Sequence, residues 1–289
     1  MMEPREALRS YLRGREAMGE PEVFLPPGSK GIVLGKVRMA GVDSPQSPGD
    51  SIDTRALARS GTREDILGIA EMDTLRAVAE ACTRCGLHAT RTKVVFADGT
   101  ADAKVLCVGE APGANEDRTG LPFVGRAGKL LDRLLLSVGF PRADVFICNV
   151  LKCRPPGNRN PLPEEIEACS PFMLRQLELV RPTVIVAFGT FAAQTLLGTR
   201  DSLGHLRGRT HLYEGFPLVA TYHPAALLRN PGWTRSTWLD LQLARRIADG
   251  DRGHATLRTQ REDGPATVSE PEAVSAGSQS QLILGGRDG

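Results

Sequence analysis

The sequence predicts an α/β fold of three layers, with a central four-stranded, mainly parallel sheet between two layers of helices. Two observations predict it. Four short segments are apolar along nearly their whole length, as strands covered on both faces are. Segments with apolar residues at helical spacing alternate with them. The strand segments are residues 105–108, 145–150, 183–188 and 217–221.

Each helix between these strands has its own signal. The segment after the first strand carries apolar residues at helical spacing; these are Ala127, Leu130, Leu131, Leu134 and Leu135. Pro163 and the two glutamates after it are typical of a first helical turn, because proline fits there and acids suit the positive end of the helix. Residues 191–197 and 238–247 complete the helices.

The chain divides into three parts by composition. Residues 1–74 scatter glycine and proline among polar residues, so we expect a disordered N-terminal extension. Residues 75–250 form the predicted α/β domain. Residues 251–289 are rich in glycine, serine and glutamine, which is typical of a flexible tail.

Charge and hydropathy restrict the class of protein. The 289 residues carry a formal net charge of +2, so any nucleic-acid site has to be local rather than a property of the whole surface. An apolar run of about 18 residues, which a membrane span requires, does not occur. The N-terminus lacks the apolar segment of a secretory signal. We therefore expect an intracellular, cytoplasmic protein, whose cysteines serve as ligands rather than disulfides.

Four of the six cysteines lie among polar residues and are candidate metal ligands. Cys82 and Cys85 form a close pair, whereas Cys153 and Cys169 are widely spaced. Two close pairs would be usual for zinc, so this spread favours a [4Fe–4S] cluster, with zinc and no metal as the alternatives. Cys107 and Cys148 lie inside predicted strands and are expected to be small buried hydrophobic residues.

Three further candidates lie at or just after the ends of predicted strands, at the edge where parallel sheets bind ligands. They are the glycine loop 109–113, Asn149 and His223. Phe123 lies in a loop near the same edge, where its ring would stack on a base or pack in the core. Asn149 offers a donor and an acceptor together, which matches a pyrimidine edge, although capping of the strand end is the alternative. His223 is either structural or functional.

Basic residues lie in loops near this edge, where they would hold DNA phosphates or simply face solvent. They are Lys152, Arg154, Arg159, Arg207, Arg209 and Arg229.

Together these motifs resemble the family 4 uracil-DNA glycosylases, the iron–sulfur branch of their superfamily. The resemblance runs from about Cys82 to Arg246. The matching segments are GEAPG at 109–113 with ED at 116–117, GLPFVGRAG at 120–128, NVLKCRPP at 149–156 and HPA at 223–225.

The resemblance implies a role for each matching residue. Cys82, Cys85, Cys153 and Cys169 would hold a structural [4Fe–4S] cluster. Phe123 would stack on a flipped uracil, Asn149 would read the uracil edge, and His223 would donate to O2 as negative charge develops. Gly109, Ala111 and Gly113 would lie against the base and sugar. Glu110 and Glu116 would order water or the loop, with Glu110 as the catalytic candidate, and Leu227 would fill the vacated stack.

The implied activity is excision of uracil from single- and double-stranded DNA by base flipping and hydrolysis of the N-glycosidic bond, which leaves an abasic site. The partner would be uracil-containing DNA, without a membrane, and the protein would be a monomer. No lysine is placed to form a Schiff base, so lyase activity is not expected. Ala111 stands where other branches carry a water-activating aspartate. Residues 152–161 contain no histidine that would trap the sugar covalently.

Parts of the sequence fit two other functions. A non-catalytic nucleic-acid-binding module with a metal staple would keep the basic loops but not depend on His223 and Asn149. A nucleotide-processing enzyme would use the 109–113 loop as a phosphate cradle, but the loop lacks the Gly-Lys-Ser/Thr ending such cradles have.

Overall fold

A computed structural model describes residues 53–250 of the chain. Residues 1–52 and 251–289 lie outside the described residues, and so do the predictions of a disordered extension and a flexible tail for those ranges. None of the helices in the described part is long and apolar enough to cross a membrane.

Six strands of the described residues form one mixed sheet in the order β1-β3-β2-β4-β6-β5. Strands β3, β2, β4 and β6 run parallel, and they coincide with the four predicted segments. The α/β class and the central parallel sheet are therefore confirmed. The strands are β1 (Asp98–Gly99), β2 (Val105–Gly109), β3 (Phe146–Asn149), β4 (Val184–Phe188), β5 (Thr210–Tyr213) and β6 (Phe216–Thr221).

Two antiparallel edge strands, β1 and β5, have no counterpart among the predicted segments. Strand β1 has only two residues, too few for a periodic pattern. Strand β5 joins β6 through a tight hairpin turn at Glu214 and Gly215, both of which have positive φ (48° and 82°). This geometry is typical of a two-residue hairpin turn, but Glu-Gly is a weaker sequence signal for it than Asn-Gly or Asp-Gly.

The helices cover both faces of this sheet. They are α1 (Thr54–Ser60), α2 (Arg63–Leu67), α3 (Met72–Glu80), α4 (Ala114–Thr119), α5 (Arg126–Ser137), α6 (Pro163–Val180), α7 (Thr190–Leu197), α8 (Leu203–Leu206), α9 (Pro224–Arg229) and α10 (Thr234–Ala248).

Alternate residues of each central strand enter two separate cores. In β2, Leu106 and Val108 pack with the core that includes α1–α3 and α6–α8. Val105 and Cys107 pack on the opposite face with α5, α9 and α10. Because both faces are covered, every residue of β2 is buried, which explains its continuous apolar sequence. The three-layer prediction and the buried positions of Cys107 and Cys148 are confirmed.

The domain begins before residue 74, where the sequence analysis placed its boundary. Helices α1 and α2 precede that residue, and Ala58 and Ile66 are fully buried in the same core as α6. Each helix has only five to seven residues, so its amphipathic pattern is too short to stand out. Packing against the rest of the domain stabilises them.

Replacement of Ile66 by alanine tests whether α2 belongs to the folded domain. Loss of this fully buried side chain is expected to lower the free energy of unfolding by about 2–5 kcal/mol. Glu64→Ala on the exposed side of the same helix is the matched control and should change it by less than about 0.5 kcal/mol. Urea unfolding measures both, and equal stabilities of the two variants would contradict this packing.

Candidate active site

The carboxyl ends of the four parallel strands meet at one edge of the sheet. In the β2–β3 register Gly109 lies opposite Asn149, and in the β4–β6 register Phe188 lies opposite Thr221. The loop after β2 and His223, two residues after β6, therefore reach the same edge. The structure thus brings together the loop, Asn149 and His223, as the sequence analysis expected from the general location of ligand sites in such sheets.

Gly109 allows two other side chains to approach the end of β2 closely. A Cβ atom at this position would lie 2.3 Å from Asn149 Oδ1 and 2.7 Å from Phe123 Cζ. Both distances are shorter than real Cβ contacts, so any side chain here would displace Asn149 and Phe123. The absence of a Cβ at Gly109 is therefore a requirement of this arrangement.

Phe123 has an uncommon backbone conformation for a residue with a side chain, with φ of 51°. Its ring is buried, stacks on the His223 imidazole with 5.4 Å between centroids, and meets Phe188 edge-on at 6.1 Å. A separation of 5.4 Å is less than two aromatic stacking distances of about 3.5 Å each. The two rings must therefore separate for a base to lie between them.

Arg142 anchors the loop that carries Phe123, a role the sequence analysis missed. Its guanidinium donates to the carbonyl oxygens of Pro122 (2.7 Å) and Phe123 (3.3 Å). The same group pairs with Asp98 at 2.7 Å and with Asp132 at 2.8 Å. These contacts join residues far apart in the sequence, so no local pattern signals them.

Two other groups hold the same loop. The Glu116 carboxylate accepts hydrogen bonds from the backbone N–H groups of Val124 (3.0 Å) and Gly125 (3.2 Å). Gly128 packs under Phe123, where a Cβ would lie 1.7 Å from the Phe123 carbonyl oxygen. Of the two roles predicted for Glu116, these contacts support ordering of the loop.

The hydrogen bonding of His223 defines its tautomer. The backbone N–H of Ala225 donates to Nδ1 at 3.1 Å, so Nδ1 carries no proton. Burial lowers the pKa of His223 to about 4, and the nearby Glu116 carboxylate opposes this only in part. The neutral imidazole therefore carries its proton on Nε2, which makes it a hydrogen-bond donor without a positive charge.

A cleft of about 660 Å³ opens beside these groups. Four residues predicted to act on or bind the substrate line it, namely Glu110, Ala111, Gly113 and His223. Glu110 is half-buried, and burial raises the pKa of its carboxyl group. Gly109, Phe123 and Asn149 do not line the cleft but are buried next to it.

Asn149 is 3% exposed, and its carboxamide makes no hydrogen bond to any residue in the part of the chain that the structure describes. Its main-chain carbonyl, in contrast, accepts from the Lys152 ammonium at 2.7 Å. Lys152 also donates to Gln176 Oε1 at 2.6 Å, and Gln176 in turn donates to the Phe96 carbonyl. The backbone of Asn149 is thus fixed while its side chain keeps a donor and an acceptor available.

Two of the predicted basic residues and one predicted substrate contact lie elsewhere. Lys152 is buried behind Asn149, and Arg207 is paired with buried Asp240, so neither is a free surface cation at the cleft. Leu227 is 2% exposed, within the core that covers one face of the sheet, so its predicted role as a wedge in DNA is wrong for this arrangement. Leu228, which is 39% exposed, is the accessible leucine of α9.

The four candidate ligand cysteines line one pocket on the other side of Lys152. Cys82 follows α3, Cys85 precedes a short 3₁₀ helix (Gly86–Ala89), Cys153 follows β3, and Cys169 lies in α6. Burial raises the pKa of the Cys82, Cys153 and Cys169 thiols. Without a bound cation these thiols hold their protons, and a metal would have to displace them.

Positively charged groups surround this pocket. Arg91 Nη1 donates to Cys153 Sγ at 3.4 Å, and the Lys152 backbone N–H donates to Cys169 Sγ at 3.3 Å. Arg84 and the Lys152 side chain also line it, and Arg84 Nη1 is buried without a hydrogen-bond partner in residues 53–250. An orphaned guanidinium nitrogen beside four thiols matches a site for an anionic, sulfur-rich group.

No three His, Cys, Asp or Glu side chains within residues 53–250 converge closely enough to share one ion. The four cysteines instead surround the pocket. In a [4Fe–4S] cluster the four thiolates bind the corners of one group, so their sulfur atoms need not meet at a single point. The donor set, its positive surroundings and the orphaned nitrogen are compatible with such a cluster.

Comparison with known proteins identifies the family. A family model described as the uracil DNA glycosylase superfamily matches residues 96–244. A type-4 uracil-DNA glycosylase of Archaeoglobus fulgidus is 48% identical over 158 residues, which cover 52% of this chain and 79% of that protein. One of Thermotoga maritima is 46% identical over 171 residues, covering 58% and 86%.

A more distant relative separates the branches. A type-5 uracil-DNA glycosylase of Pyrobaculum aerophilum is 34% identical over 170 residues, which cover 52% of this chain and 74% of that protein. The identity to this type-5 protein is lower than the identities to the type-4 proteins. This agrees with the type-4 motifs of the chain, which include Ala111 directly after Glu110. The chain belongs to the uracil-DNA glycosylase superfamily, in its type-4 branch.

Proposed function

We propose that this protein removes uracil from single- and double-stranded DNA by hydrolysing the N-glycosidic bond, and so begins base excision repair. The observation that carries this proposal is the arrangement over Gly109. There a carboxamide with free donor and acceptor, an aromatic ring and a neutral imidazole lie together beside a cleft. The same arrangement supports a catalytic protein over a purely binding module.

Asn149 supplies the selectivity for uracil. Its carboxamide oxygen accepts from uracil N3–H and its amino group donates to O4. Cytosine presents the opposite pattern, so the same carboxamide would face a donor with a donor. Because Lys152 fixes the main-chain carbonyl of Asn149, the backbone that carries the carboxamide is held in place before the base arrives.

His223 stabilises the leaving base. As the glycosidic bond lengthens, negative charge develops on uracil O2, and the Nε2–H of a neutral imidazole donates to it. Once it has moved off the Phe123 ring to admit the base, a donor aimed at this oxygen contributes about 3 kcal/mol to lowering the barrier. The hydrogen bond from Ala225 N–H to Nδ1 selects the tautomer that can donate.

Glu110 is the candidate to orient the attacking water, since its half-buried carboxylate lines the cleft beside Ala111. Water then adds to the sugar at C1′ as the bond breaks, which leaves an abasic site and free uracil. The uracil stacks on Phe123 once the imidazole moves off that ring. Leu228, the exposed neighbour of Leu227, fills the space that the flipped base vacates.

Cys82, Cys85, Cys153 and Cys169 hold a [4Fe–4S] cluster in this proposal. When bound, the cluster supplies a structural crosslink between the ends of α3, β3 and the middle of α6. Lys152 lies between this pocket and Asn149, so the crosslink supports the residues that read the base. The protein acts as an intracellular monomer on uracil-containing DNA.

The test is an excision assay on an oligonucleotide with one central uracil. The wild-type protein is expected to release uracil and leave a site that alkali, but not the protein, cleaves. Asn149→Asp is expected to slow uracil release about 10- to 100-fold, because an ionised carboxylate cannot donate to O4. The same variant should lower the ratio of uracil to cytosine excision.

Asn158→Asp is the matched control, because it makes the same change at an exposed position in the same cleft. Its ratio of uracil to cytosine excision should stay at the wild-type value. Binding of DNA without any base release by the wild-type protein would instead support the non-catalytic module.

The protonation of His223 is tested by NMR titration of its ring protons, assigned by comparison with His223→Gln. A midpoint near 4 is expected, since burial favours the neutral form. The pKa of His223 is lower in the folded protein than its unfolded value of about 6.5. Its contribution to the free energy of unfolding is therefore complete above pH 6.5 and is lost as pH falls toward 4. A midpoint close to 6.5 would contradict a neutral donor.

The cluster is tested by iron and sulfide content and by visible absorption. Cys169→Ala is expected to lose the cluster, because one of its four thiolates is removed. Cys107→Ala, at an equally buried cysteine outside the pocket, is the control and should retain it. Zinc in place of iron in wild-type protein prepared without oxygen would contradict the assignment.

A further inference from the structure

An aromatic stack stands at the rim of the cleft, next to His223. Tyr222 and Trp233 lie face to face with 4.5 Å between ring centroids and an interplanar angle of 12°. Both rings line the cleft. Neither residue belongs to the motifs discussed above, and neither has a part in the proposed chemistry.

Arg207 and Asp240 hold the Tyr222 side of the stack in place. The Arg207 guanidinium lies 5.3 Å from the centre of the Tyr222 ring, and since Trp233 covers one ring face, the guanidinium takes the other. Buried Asp240 holds Arg207 through two hydrogen bonds of 3.0 Å. Asp240 also accepts from Thr221 Oγ1 at 2.8 Å, which ties the stack to the end of β6. Arg207, Tyr222 and Trp233 are thus ordered layers before any ligand binds.

The outer layer of this stack is accessible. Trp233 is 39% exposed although Tyr222 covers one of its faces. A large rigid aromatic ring with one face open in a cleft is suited to a flat ligand. Arg229 lines the same cleft and provides positive charge for a phosphate backbone, whereas Arg159 in the same lining is paired with Glu165 at 2.6 Å.

We propose that Trp233 is a stacking platform for an unpaired base of the DNA strand, next to the nucleotide that is flipped toward Asn149. This inference rests on the proposed function, because it places the base beside the uracil that His223 meets. An unpaired base has a free face for the ring, whereas a base inside a duplex has both faces covered by its neighbours. The platform therefore favours single-stranded over duplex DNA.

The chain contains two tryptophans in all, which makes the platform directly observable. Trp238→Phe leaves Trp233 as the one tryptophan. Trp233→Phe leaves Trp238, which is also 39% exposed but does not line the cleft, and so serves as the matched control. Each variant is titrated with a uracil-free single-stranded oligonucleotide while tryptophan fluorescence is recorded.

The fluorescence of Trp233 is expected to be quenched by the single strand and less by the duplex, while that of Trp238 stays constant. Equal quenching of the two tryptophans, or none, would overturn the proposal. This readout needs no catalysis. Quenching without uracil release by the wild-type protein would therefore count against the proposed function and leave the platform standing.

Kinetics provide a second measurement that does not depend on the fluorescent variants. Trp233→Ala is expected to raise KM for a single-stranded uracil substrate about tenfold, the change that corresponds to about 1.4 kcal/mol and lies within the range for base–aromatic stacking. Trp233→Phe should keep KM close to the wild-type value, and kcat should change little in either variant. An unchanged KM on single strands for Trp233→Ala would overturn the proposal even where uracil is excised normally.

Discussion

The close approach of Asn149 and Phe123 to Gly109 is the constraint on which the rest of the site depends. The parallel register brings Gly109 opposite Asn149, and the absence of a Cβ leaves room for both side chains. Phe123 in turn stacks on His223. Its loop therefore contacts both the end of β2 and the segment after β6 through one ring. Arg142 and Glu116 hold the Phe123 loop by its backbone, so the loop keeps a conformation with positive φ.

Lys152 connects the two halves of the candidate site. Its ammonium holds the main chain of Asn149, and its backbone N–H donates to Cys169. A buried cation is costly unless negative charge or several acceptors compensate it. Here two oxygens accept from the ammonium, and the cysteine pocket adjoins it. The cysteines and Asn149 are therefore parts of one arrangement, although the pocket and the cleft are separate.

In the proposed reaction, the neutral His223 and the exposed Trp233 have different tasks, although both line the same part of the cleft. Burial and the Ala225 N–H make His223 a donor without charge, which suits a charge that appears only during bond cleavage. Trp233, fixed through Tyr222 and Arg207, offers a surface that binds without reacting. The two proposed roles, stabilising the developing charge and binding the strand, thus fall to neighbouring residues after β6.

The sequence by itself determined the central strands, the four grouped cysteines and the residues at the strand ends, because period, glycine spacing and cysteine position are local signals. Only the tertiary structure decided that Lys152 is buried behind Asn149, that Leu227 belongs to the core, and that α1 and α2 belong to the domain. Arg142 and Trp233 were not singled out at all, since their partners lie in other elements. Burial and pairing across elements depend on how helices and strands pack, and packing leaves no periodic trace in any one segment.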